Sequence, residues 1–377
     1  MSLQWHSSRN LTPVHGKLAA APEFSFRSVK YMAPRNMTCG ELFNEISVII
    51  ATAKEVFQLV YTVTFNPAID YVVQLDGMKQ GCLNRMKSEK IFVGGKGINV
   101  SIVLGELGIK SRALGFVAGF TGRAIEEGVN REKVEADFVH LQEGFSRINV
   151  KIKTDTETEL NGKGPEIGTE AIEELYAKLA KLEDGDTLVL AGSVPSSLPP
   201  DIYEKILSRL EGKRIRTVVD ATKELLVNVL KYRPFLVKPN NHELEEIFGV
   251  TMDSTEKITE YAKKLKDMGA VNVLVSMAGD GAVLVDEYGE VYTCGVCRGT
   301  VRNSVGAGDS MVAGFIAGYE KGCEKGCGKG YGEDYGEGCG SHDYEYALKL
   351  GTAAGGATAF ADGLAQREDI YRLMEQL

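Results

Sequence analysis

The sequence predicts an α/β fold with a mainly parallel sheet and helices on both of its faces. Three observations support this prediction. After residue 169, short apolar strands alternate with amphipathic helices, as in parallel strands joined by crossover helices. Glycine-rich turns at 94–97 and 306–308 each precede a helical pattern. Residues 147–153 alternate apolar and polar side chains, which predicts a half-exposed antiparallel strand with 154–160 as its partner.

The first half of the chain is expected to begin with strands. Residues from Leu59 to Phe65 are rich in β-branched and aromatic side chains, and Asn66-Pro67 ends that strand. The turn that starts at Gly94 opens a helix whose apolar residues recur at helical spacing until Gly108 closes it. The other expected elements are strands at 70–75, 90–93, 111–117, 147–153 and 154–160, and a helix at 121–130.

The second half of the chain carries the regular alternation. Apolar residues at helical spacing predict the helices, and short β-branched runs predict the strands. The expected helices are 169–182, 201–211, 222–231, 241–248, 255–268, 343–360 and 367–376, together with one after Gly306. The expected strands are 187–191, 217–219, 235–237, 271–276, 282–285 and 291–294.

Composition narrows the possible functions. The chain has 377 residues, of which 44% are hydrophobic and 25% charged, as in globular domains, and its net charge is −9. An acidic chain is a poor non-specific nucleic-acid binder, and no apolar run is long enough to cross a membrane. Seven cysteines do not suggest a disulfide framework, so we expect a cytoplasmic protein with reduced thiols.

Two segments do not follow the alternating pattern. Residues 1–57 mix proline, histidine and arginine without clear periodicity, so we expect a partly disordered or tag-derived extension. Residues 321–342 consist mostly of Gly, Cys, Glu, Lys and Tyr, which predicts a flexible surface insertion. Its Cys323, Cys327 and Cys339, with His342, also form a set that could bind a peripheral structural zinc.

The turn before the predicted helix at 307 is the main candidate for chemistry. Gly306 and Gly308 let a ligand approach the backbone, and a helix start presents N–H groups and partial positive charge to an anion such as phosphate. Asp309 follows directly. A carboxylate beside a phosphate site is suited to take a proton from an attacking hydroxyl or to help hold a metal. The alternative is that Asp309 only caps the helix.

Three polar turns follow consecutive strands of the predicted parallel sheet. Ligands of such sheets bind at the carboxyl ends of the strands, so these turns predict nucleotide contacts. Glu243, at a helix start, could cap that helix or hold a water on Mg²⁺. Each turn alone could also be an ordinary strand-to-helix connection. The segments concerned are 238–243, 276–281 and the Gly306 turn.

The N-terminal half supplies candidate sugar contacts. Lys96 lies in the second glycine-rich helix start, which lacks the spacing of a P-loop. Arg147, Asn149 and Lys151 share one face of a strand, which gives a cationic, amide-bearing surface suited to a phosphate. The alternative is a solvated strand face. Short polar side chains suited to sugar hydroxyls are Asn66, Asp70 and Asn99.

Taken together, these motifs resemble the ribokinase-like (PfkB) carbohydrate kinase family over residues 59–377. Residues 94–100 and 303–310 resemble its two signatures, although Ser304 stands where the family usually has threonine. Several stretches resemble its 1-phosphofructokinase and tagatose-6-phosphate kinase branch: 64–70, 147–151, 161–167 and 191–195.

The resemblance implies a fold and a reaction. The fold would be a doubly wound α/β kinase domain over 58–377, with a small β-sheet lid from the strands near 70–75, 90–93 and 147–160 that also forms a dimer clasp. The reaction would be ATP- and Mg²⁺-dependent conversion of fructose 1-phosphate to fructose 1,6-bisphosphate. Tagatose 6-phosphate is the alternative substrate. A non-catalytic sugar-phosphate sensor is the alternative of a different class, although a sensor has no need of a base at Asp309.

The resemblance also implies roles for individual residues. Asp309 would be the general base, and Gly306, Ala307 and Gly308 would form the anion hole for the transferred phosphoryl group. The substrate-binding positions would be Asp70, Gly94, Gly95, Lys96, Asn99, Arg147 and Asn149. The positions around ATP would be Lys238, Asn240, Glu243, Ser276, Gly279, Gly281, Gly306 and Gly308, with Glu243 also reaching the metal through a water.

Overall fold

The computed structural model describes residues 58–132, 134–326 and 342–377. The chain divides into two units, 1–57 and 58–377. The expected N-terminal extension therefore lies outside the described residues, and the fold below is that of the second unit. Among the described residues, no helix is both long and apolar enough to cross a membrane.

The described elements follow the α/β order that the sequence predicts. The strands are β1 Val60–Thr64, β2 Ala68–Gln74, β3 Ser88–Gly94, β4 Ser111–Ala118, β5 Glu135–Ala136, β6 Val139–Leu141, β7 Arg147–Lys153, β8 Glu157–Asn161, β9 Thr187–Ala191, β10 Arg216–Asp220, β11 Leu236–Val237, β12 Asn272–Ser276, β13 Ala282–Val285 and β14 Val291–Cys294. The helices are α1 Lys96–Glu106, α2 Gly119–Arg131, α3 Thr169–Leu179, α4 Ile202–Arg209, α5 Lys223–Val229, α6 Asn241–Phe248, α7 Thr255–Asp267, α8 Ala307–Gly326, α9 Tyr344–Phe360 and α10 Arg367–Met374.

Ten of these strands form the main sheet, in the order β14-β13-β12-β11-β10-β9-β1-β4-β5, with β6 paired to β4. All neighbours are parallel except the β12–β13–β14 meander at one edge. The chain starts in the middle, at β1, and extends first to β4 on one side and later to β9 on the other. This reversal of strand order makes the sheet doubly wound and opens a crevice at the carboxyl ends of its strands.

Helices cover both faces because the central strands are apolar on both sides. Val218 and Leu274 face one hydrophobic cluster, which contains residues of α1, α8, α9 and α10. Their neighbours Val219 and Val273 face the other cluster, which contains residues of α3, α4, α5, α6 and α7. The remaining helix, α2, packs with α1 against β4 in a third cluster. The fold is ribokinase-like.

The remaining four strands form a small sheet in the order β3-β2-β7-β8. Strand β7 is parallel to β2 and antiparallel to β8, so the expected antiparallel pairing holds only for its β8 neighbour. The sheet consists of two excursions from the main sheet, one between β1 and α1 and one between β6 and α3. Its strands coincide, within a few residues, with those expected for the lid.

The structure corrects the sequence prediction at two places. Strands β5 and β6 are not predicted, because segments of two and three residues are too short to show a period. The predicted insertion does not begin at Lys321, since α8 continues to Gly326. Lys321 is held there by hydrogen bonds from its Nζ to Leu107 O and Tyr371 Oη, both at 2.9 Å.

The predicted zinc set is only partly covered by the structure. His342 stacks on Tyr319, with ring centroids 3.8 Å apart, and its Nδ1 lies 3.4 Å from Tyr319 O. The three cysteines lie outside the described side chains, so the zinc hypothesis remains a prediction.

Candidate functional site

A cavity of about 950 Å³ lies between the carboxyl edge of the main sheet and the small sheet. We call its two charged sides the floor and the roof. The floor is formed by Lys96, Asp220, Lys238 and Asp309. The roof is formed by side chains on the small sheet, namely Asp70, Arg147, Asn149, Lys151, Glu159 and Asn161.

Asp309 lies in the first turn of α8, a helix of 20 residues. Gly306 precedes the helix with a φ of +80°, a left-handed conformation that favours glycine. Asn99 Nδ2 donates a hydrogen bond of 2.8 Å to Asp309 Oδ2, and only 4% of Asp309 is exposed. The carboxylate is therefore fixed in direction beside a helix start that favours anions.

A second buried carboxylate, Asp220, lies between two lysines at the end of β10. Its Oδ2 is 3.3 Å from Lys96 Nζ, and its Oδ1 is 3.5 Å from Lys238 Nζ. Asp220 is 2% exposed and Lys238 4%. Such buried charges need partners, and each of these lysines has Asp220 as a partner. A Cβ atom on Gly308 would lie 3.2 Å from Lys238 Nζ, so this ammonium also lies beside the turn before Asp309.

The pKa values of the floor follow from burial and mutual charge. Burial, and then the negative charge of Asp220, raise the pKa of Asp309 to about 6, although Lys96, Asn99 and Lys238 oppose this. Burial also acts to raise the pKa of Asp220, but Lys238 and Lys96 outweigh it and hold that pKa below its usual value. Burial lowers the pKa of Lys96, but Asp220, Asp309 and Glu243 outweigh it. At neutral pH one carboxylate is firmly ionised and the other is a base of intermediate strength.

The polar turns after β11 and β12 meet at one end of the cavity. Asn240 and Glu243 form a capping box at the start of α6, in which each side chain accepts a 2.8 Å hydrogen bond from the other's backbone N–H. Asn240 and Ser276 also form an isolated parallel bridge, which continues the pairing of the two strands into the turns. Glu243 is therefore a helix cap that also lines the cavity.

The roof carries the predicted cationic face. Arg147 is half-buried, and its Nε donates a 3.0 Å hydrogen bond to Asn66 O, which directs the side chain. Burial lowers the pKa of Arg147, and Asp70 partly offsets this. Asn149 Nδ2 donates a 2.9 Å hydrogen bond to Asp70 Oδ1. The alternative of a solvated face is wrong for Asn149 and Lys151, each 7% exposed.

Almost all of the predicted site residues line this one cavity. Gly94 and Asn66 are the exceptions: Gly94 is buried at the end of β3, and Asn66 Nδ2 donates a 2.8 Å hydrogen bond to Lys163 O outside the cavity lining. A Cβ atom on Gly94 would lie 2.6 Å from Asp70 Oδ2, so this glycine makes room for the Asp70 carboxylate. The predicted residues that do line the cavity are Asp70, Gly95, Lys96, Asn99, Arg147, Asn149, Lys238, Asn240, Glu243, Ser276, Gly279, Gly281, Gly306, Ala307, Gly308 and Asp309.

Sequence reasoning missed the most buried charge of the floor, Asp220. A signal was present, because an acidic residue ends the apolar run Thr217-Val-Val and therefore lies at the carboxyl edge of a parallel sheet. It also missed Glu159 and Asn161 in the roof, which lie on a strand whose polar residues look solvent-exposed in isolation.

Acidic, histidine and cysteine side chains are the candidate metal ligands among the described residues. In the part of the chain that the structure describes, no three His, Cys, Asp or Glu side chains lie close enough together to hold a metal ion. This arrangement suits Mg²⁺ bound mainly through substrate phosphates and water, with one or two carboxylates from the protein. Besides Asp309, the carboxylates that line the cavity outside the roof are Asp220, Glu243 and Asp280.

Comparison with known proteins agrees with this geometry. The model of the pfkB family of carbohydrate kinases matches residues 63–369. The chain belongs to this family. Within it, the chain falls in the 1-phosphofructokinase and tagatose-phosphate kinase branch.

Individual relatives are similar in sequence to this chain over nearly their whole length. The 1-phosphofructokinase of Bacillus subtilis is 43% identical over 319 residues, which cover 85% of this chain and 98% of the relative. The D-tagatose-1-phosphate kinase of Bacillus licheniformis is 34% identical over 320 residues, covering 85% and 98%. Among solved structures, phosphofructokinase-2 of Escherichia coli in complex with substrates and products has a TM-score of 0.75 at 23% identity, covering 84% and 99%.

Proposed function

We propose that the protein is a 1-phosphofructokinase, which transfers the γ-phosphoryl group of ATP to fructose 1-phosphate and forms fructose 1,6-bisphosphate and ADP. The observation that carries the proposal is the position of Asp309. Its buried carboxylate lies beside a glycine turn at a helix start, between a floor with two lysines and a roof with an arginine. The B. subtilis relative supports the choice of substrate.

In this proposal Asp309 is the general base. A base must be ionised and within reach of the hydroxyl whose proton it removes, and a pKa of about 6 leaves Asp309 mostly ionised at pH 7.5. The hydrogen bond from Asn99 leaves the second carboxylate oxygen to accept the proton. The attacking oxygen gains the phosphoryl group, and the proton passes to Asp309.

The turn from Gly306 to Gly308 and the floor lysines stabilise the transferred phosphoryl group. Phosphoryl transfer depends mainly on positioning and on neutralising charge on the phosphoryl oxygens. Backbone N–H groups at the start of α8 supply fixed dipoles, and the Lys238 ammonium lies beside Gly308. Lys96 reaches the same region from the start of α1, on the side nearer the roof.

ATP and Mg²⁺ belong to the same proposal. The turns at 238–243 and 276–281 would bind the nucleotide, since they line the end of the cavity next to Gly306. Glu243 would reach Mg²⁺ through water, because one of its oxygens already accepts the Asn240 N–H. When bound, Mg²⁺ would neutralise charge on the ATP phosphates.

The small sheet would act as a lid and as the surface of a homodimer. Ile91, Tyr71, Val150 and Leu160 lie side by side across its four strands, on the face opposite the cavity. Ile91 is 67% exposed and Leu160 56%, so this apolar row is uncovered in one chain. Sedimentation of the protein, compared with an Ile91→Glu and Leu160→Glu variant, tests the dimer.

The proposed location of the protein is the cytoplasm, consistent with free thiols at Cys82, Cys294 and Cys297. Cell fractionation checks this.

The test of the proposed function is coupled ADP release with ATP and Mg²⁺ against a panel of sugars. The panel contains fructose 1-phosphate, tagatose 1-phosphate, tagatose 6-phosphate, fructose 6-phosphate, fructose and ribose. We expect the highest kcat/KM with fructose 1-phosphate. A preference for a tagatose phosphate would correct the substrate and keep the mechanism. Binding of sugar phosphate without turnover of any of them would support the sensor hypothesis instead.

A further inference from the structure

The roof holds a buried lysine that the proposed mechanism does not use. Lys151 lies on β7, two residues beyond Asn149 and on the same, cavity-facing side of the strand. It is 7% exposed, which is unusual for a lysine and requires a counter-charge. Its counter-charge is Glu159, whose Oε1 lies 3.3 Å from Lys151 Nζ.

The pairing of Lys151 with Glu159 is fixed by strand register. The two residues lie directly opposite each other on the antiparallel strands β7 and β8. Asn161, the next residue on that face of β8, donates a 3.4 Å hydrogen bond to Glu159 Oε2. All the described partners of this carboxylate therefore lie on the roof itself, and 38% of the Glu159 side chain remains exposed to the cavity and solvent.

With Glu159 present, the roof carries as many negative as positive side chains. It therefore does not favour an anion unless one of the carboxylates moves aside. Two cations, Arg147 and Lys151, face the cavity with two carboxylates, Asp70 and Glu159. Asp70 is anchored by Asn149 and by the space at Gly94, whereas Glu159 is the more exposed carboxylate. A phosphate that reaches Lys151 from the cavity would therefore compete with Glu159 for its ammonium.

We propose that Lys151 is a second phosphate-binding cation of the roof, and that Glu159 is a built-in competitor that occupies it until a sugar phosphate displaces the carboxylate. This inference rests on the proposed function and adds a selection step to it. An uncharged sugar offers nothing to replace Glu159 and leaves the ion pair closed. A phosphorylated sugar replaces one anion with another, so the pair selects for substrates that already carry a phosphate.

The experiment compares Glu159→Gln, Lys151→Met and the double variant with the wild-type protein. Measurements are the KM for fructose 1-phosphate, the KM for ATP and the calorimetric affinity for inorganic phosphate. Glu159→Gln should lower the KM for the sugar phosphate and tighten phosphate binding several-fold, because the competitor is gone. Lys151→Met should raise that KM by about tenfold or more, the usual effect of losing a charged contact to a ligand. The KM for ATP should change much less in both.

The double variant separates the proposal from a purely structural ion pair. If the pair only stabilises the lid, removing both charges should restore the wild-type KM, and Glu159→Gln should impair binding as much as Lys151→Met; either result would overturn the proposal. If Lys151 binds the phosphate, the double variant should keep the raised KM.

Two further arms complete the test. Glu157→Gln is the matched control, since it removes the same charge from the same face of β8 at a position that does not line the cavity. If Glu157→Gln lowers the KM as much as Glu159→Gln does, the effect comes from general electrostatics and the proposal is overturned. If the wild-type protein neither binds nor phosphorylates any sugar phosphate, the proposed function and this inference fail together. A fully active wild type with unresponsive variants removes only the inference.

Discussion

The floor and the roof face the same cavity but hold their charges in different ways. On the floor, Asp220, Lys238 and Asp309 are at most 4% exposed, at the edge of a sheet whose strands are apolar on both sides, and only the Lys96 side chain reaches solvent. On the roof, Glu159 and Arg147 retain contact with solvent, and the sheet has four strands with an exposed outer face. Burial on the floor therefore raises the pKa of Asp309, whereas the exposed carboxylate of the roof can exchange partners.

Under the proposed function, this difference would separate the chemistry of the floor from substrate recognition by the roof. A base with a raised pKa requires burial and a fixed neighbouring charge, and Asp309 has both on the floor, where Asp220 lies buried beside it. A phosphate-binding surface must release its internal ion pairs when substrate arrives, which is easier at a half-exposed sheet. Substitutions on the floor should therefore change kcat and its pH dependence, and substitutions on the roof should change KM.

The largest effect is expected for Asp309→Asn on the floor. Losing the general base should lower kcat by about 10²- to 10⁴-fold, while ATP binding stays close to that of the wild type. Kinetics and calorimetric titration with ATP measure both quantities. A loss of ATP affinity as large as the loss of kcat would contradict the role of Asp309 as the base. It would also remove the expected difference between floor variants, which change kcat, and roof variants, which change KM.

Stability provides the control for that variant. The folded-state pKa of Asp309, about 6, is above the ordinary aspartate value of 3.8, so ionising it costs stability as the pH rises through about 6. Asparagine avoids this cost. The melting temperature of Asp309→Asn relative to the wild type should therefore be higher at pH 8 than at pH 5. If the variant melts well below the wild type at pH 8, misfolding explains its lost activity.

Asp220→Asn should give the next largest effect, mainly in the pH profile. In the wild type, kcat/KM should fall as the pH drops below about 6, since Asp309 then becomes protonated. Asp220 raises that pKa through its negative charge, so the variant should move the acid limb to lower pH. Removing the shared partner of Lys96 and Lys238 should also lower kcat by at least tenfold, in line with the cost of unpairing buried charges.

A pH profile measured from pH 4.5 to 9 with fructose 1-phosphate checks this prediction. Glu243→Gln is the comparison, because that carboxylate also lines the cavity but is not among the main causes of the raised pKa of Asp309. An acid limb that stays in place in Asp220→Asn would show that the two carboxylates act independently.

On the roof, Arg147→Ala should raise the KM for the sugar phosphate by about 10- to 100-fold, as expected for losing a hydrogen bond to a charged group. The KM for ATP should stay within about twofold, because Arg147 lies on the small sheet, away from the turns proposed to bind the nucleotide. Initial-rate kinetics with each substrate varied in turn provide the measurement. Equal changes in both KM values would remove Arg147 from the phosphate site.

The smallest effect is expected for the ion pair that links the small sheet to the segment after α9. Lys90 Nζ on β3 lies 2.8 Å from Asp362 Oδ2, and Arg302 approaches the same carboxylate at 3.8 Å. Exposed pairs of this kind contribute about 0–1 kcal/mol, so Lys90→Met should raise the sugar-phosphate KM by less than about fivefold. Lys87→Met is the matched control, since Lys87 pairs with Asp76 within the same excursion of the chain. Equal effects in both variants would mean that the ion pair of Lys90 with Asp362 has no specific role in substrate binding.

The sequence predicted the floor's framework better than the origin of its charges. The helix 241–248 and the hairpin strands 282–285 and 291–294 agree with the structure at both ends, because apolar periodicity and turn residues are local signals. Asp220 was missed because its importance arises from Lys96 and Lys238, which are 124 and 18 positions away and meet it only in the folded sheet. The strand pattern marks the position of Asp220 at the sheet edge, but its pairing with these two lysines has no local pattern.

The roof was predicted less completely for a related reason. The face of Arg147, Asn149 and Lys151 was identified from its period, yet the partner strand β8 looked like an ordinary solvated strand. Its residues gain their role from the register with β7. The extension of α8 to Gly326 was missed because its composition resembles that of the following segment, whereas contacts such as that of Lys321 with Leu107 are tertiary.

The construction of the small sheet from two separate excursions has a consequence for how the protein could diverge. One excursion supplies Asp70 and the other Arg147, Asn149 and Glu159, and the two meet only through the pairing of β2 with β7. Neither excursion interrupts β10, which ends at Asp220, or α8, which carries Asp309. Descendants of this chain can therefore change the acceptor that they recognise by altering two short inserts, while they inherit the phosphoryl-transfer machinery unchanged.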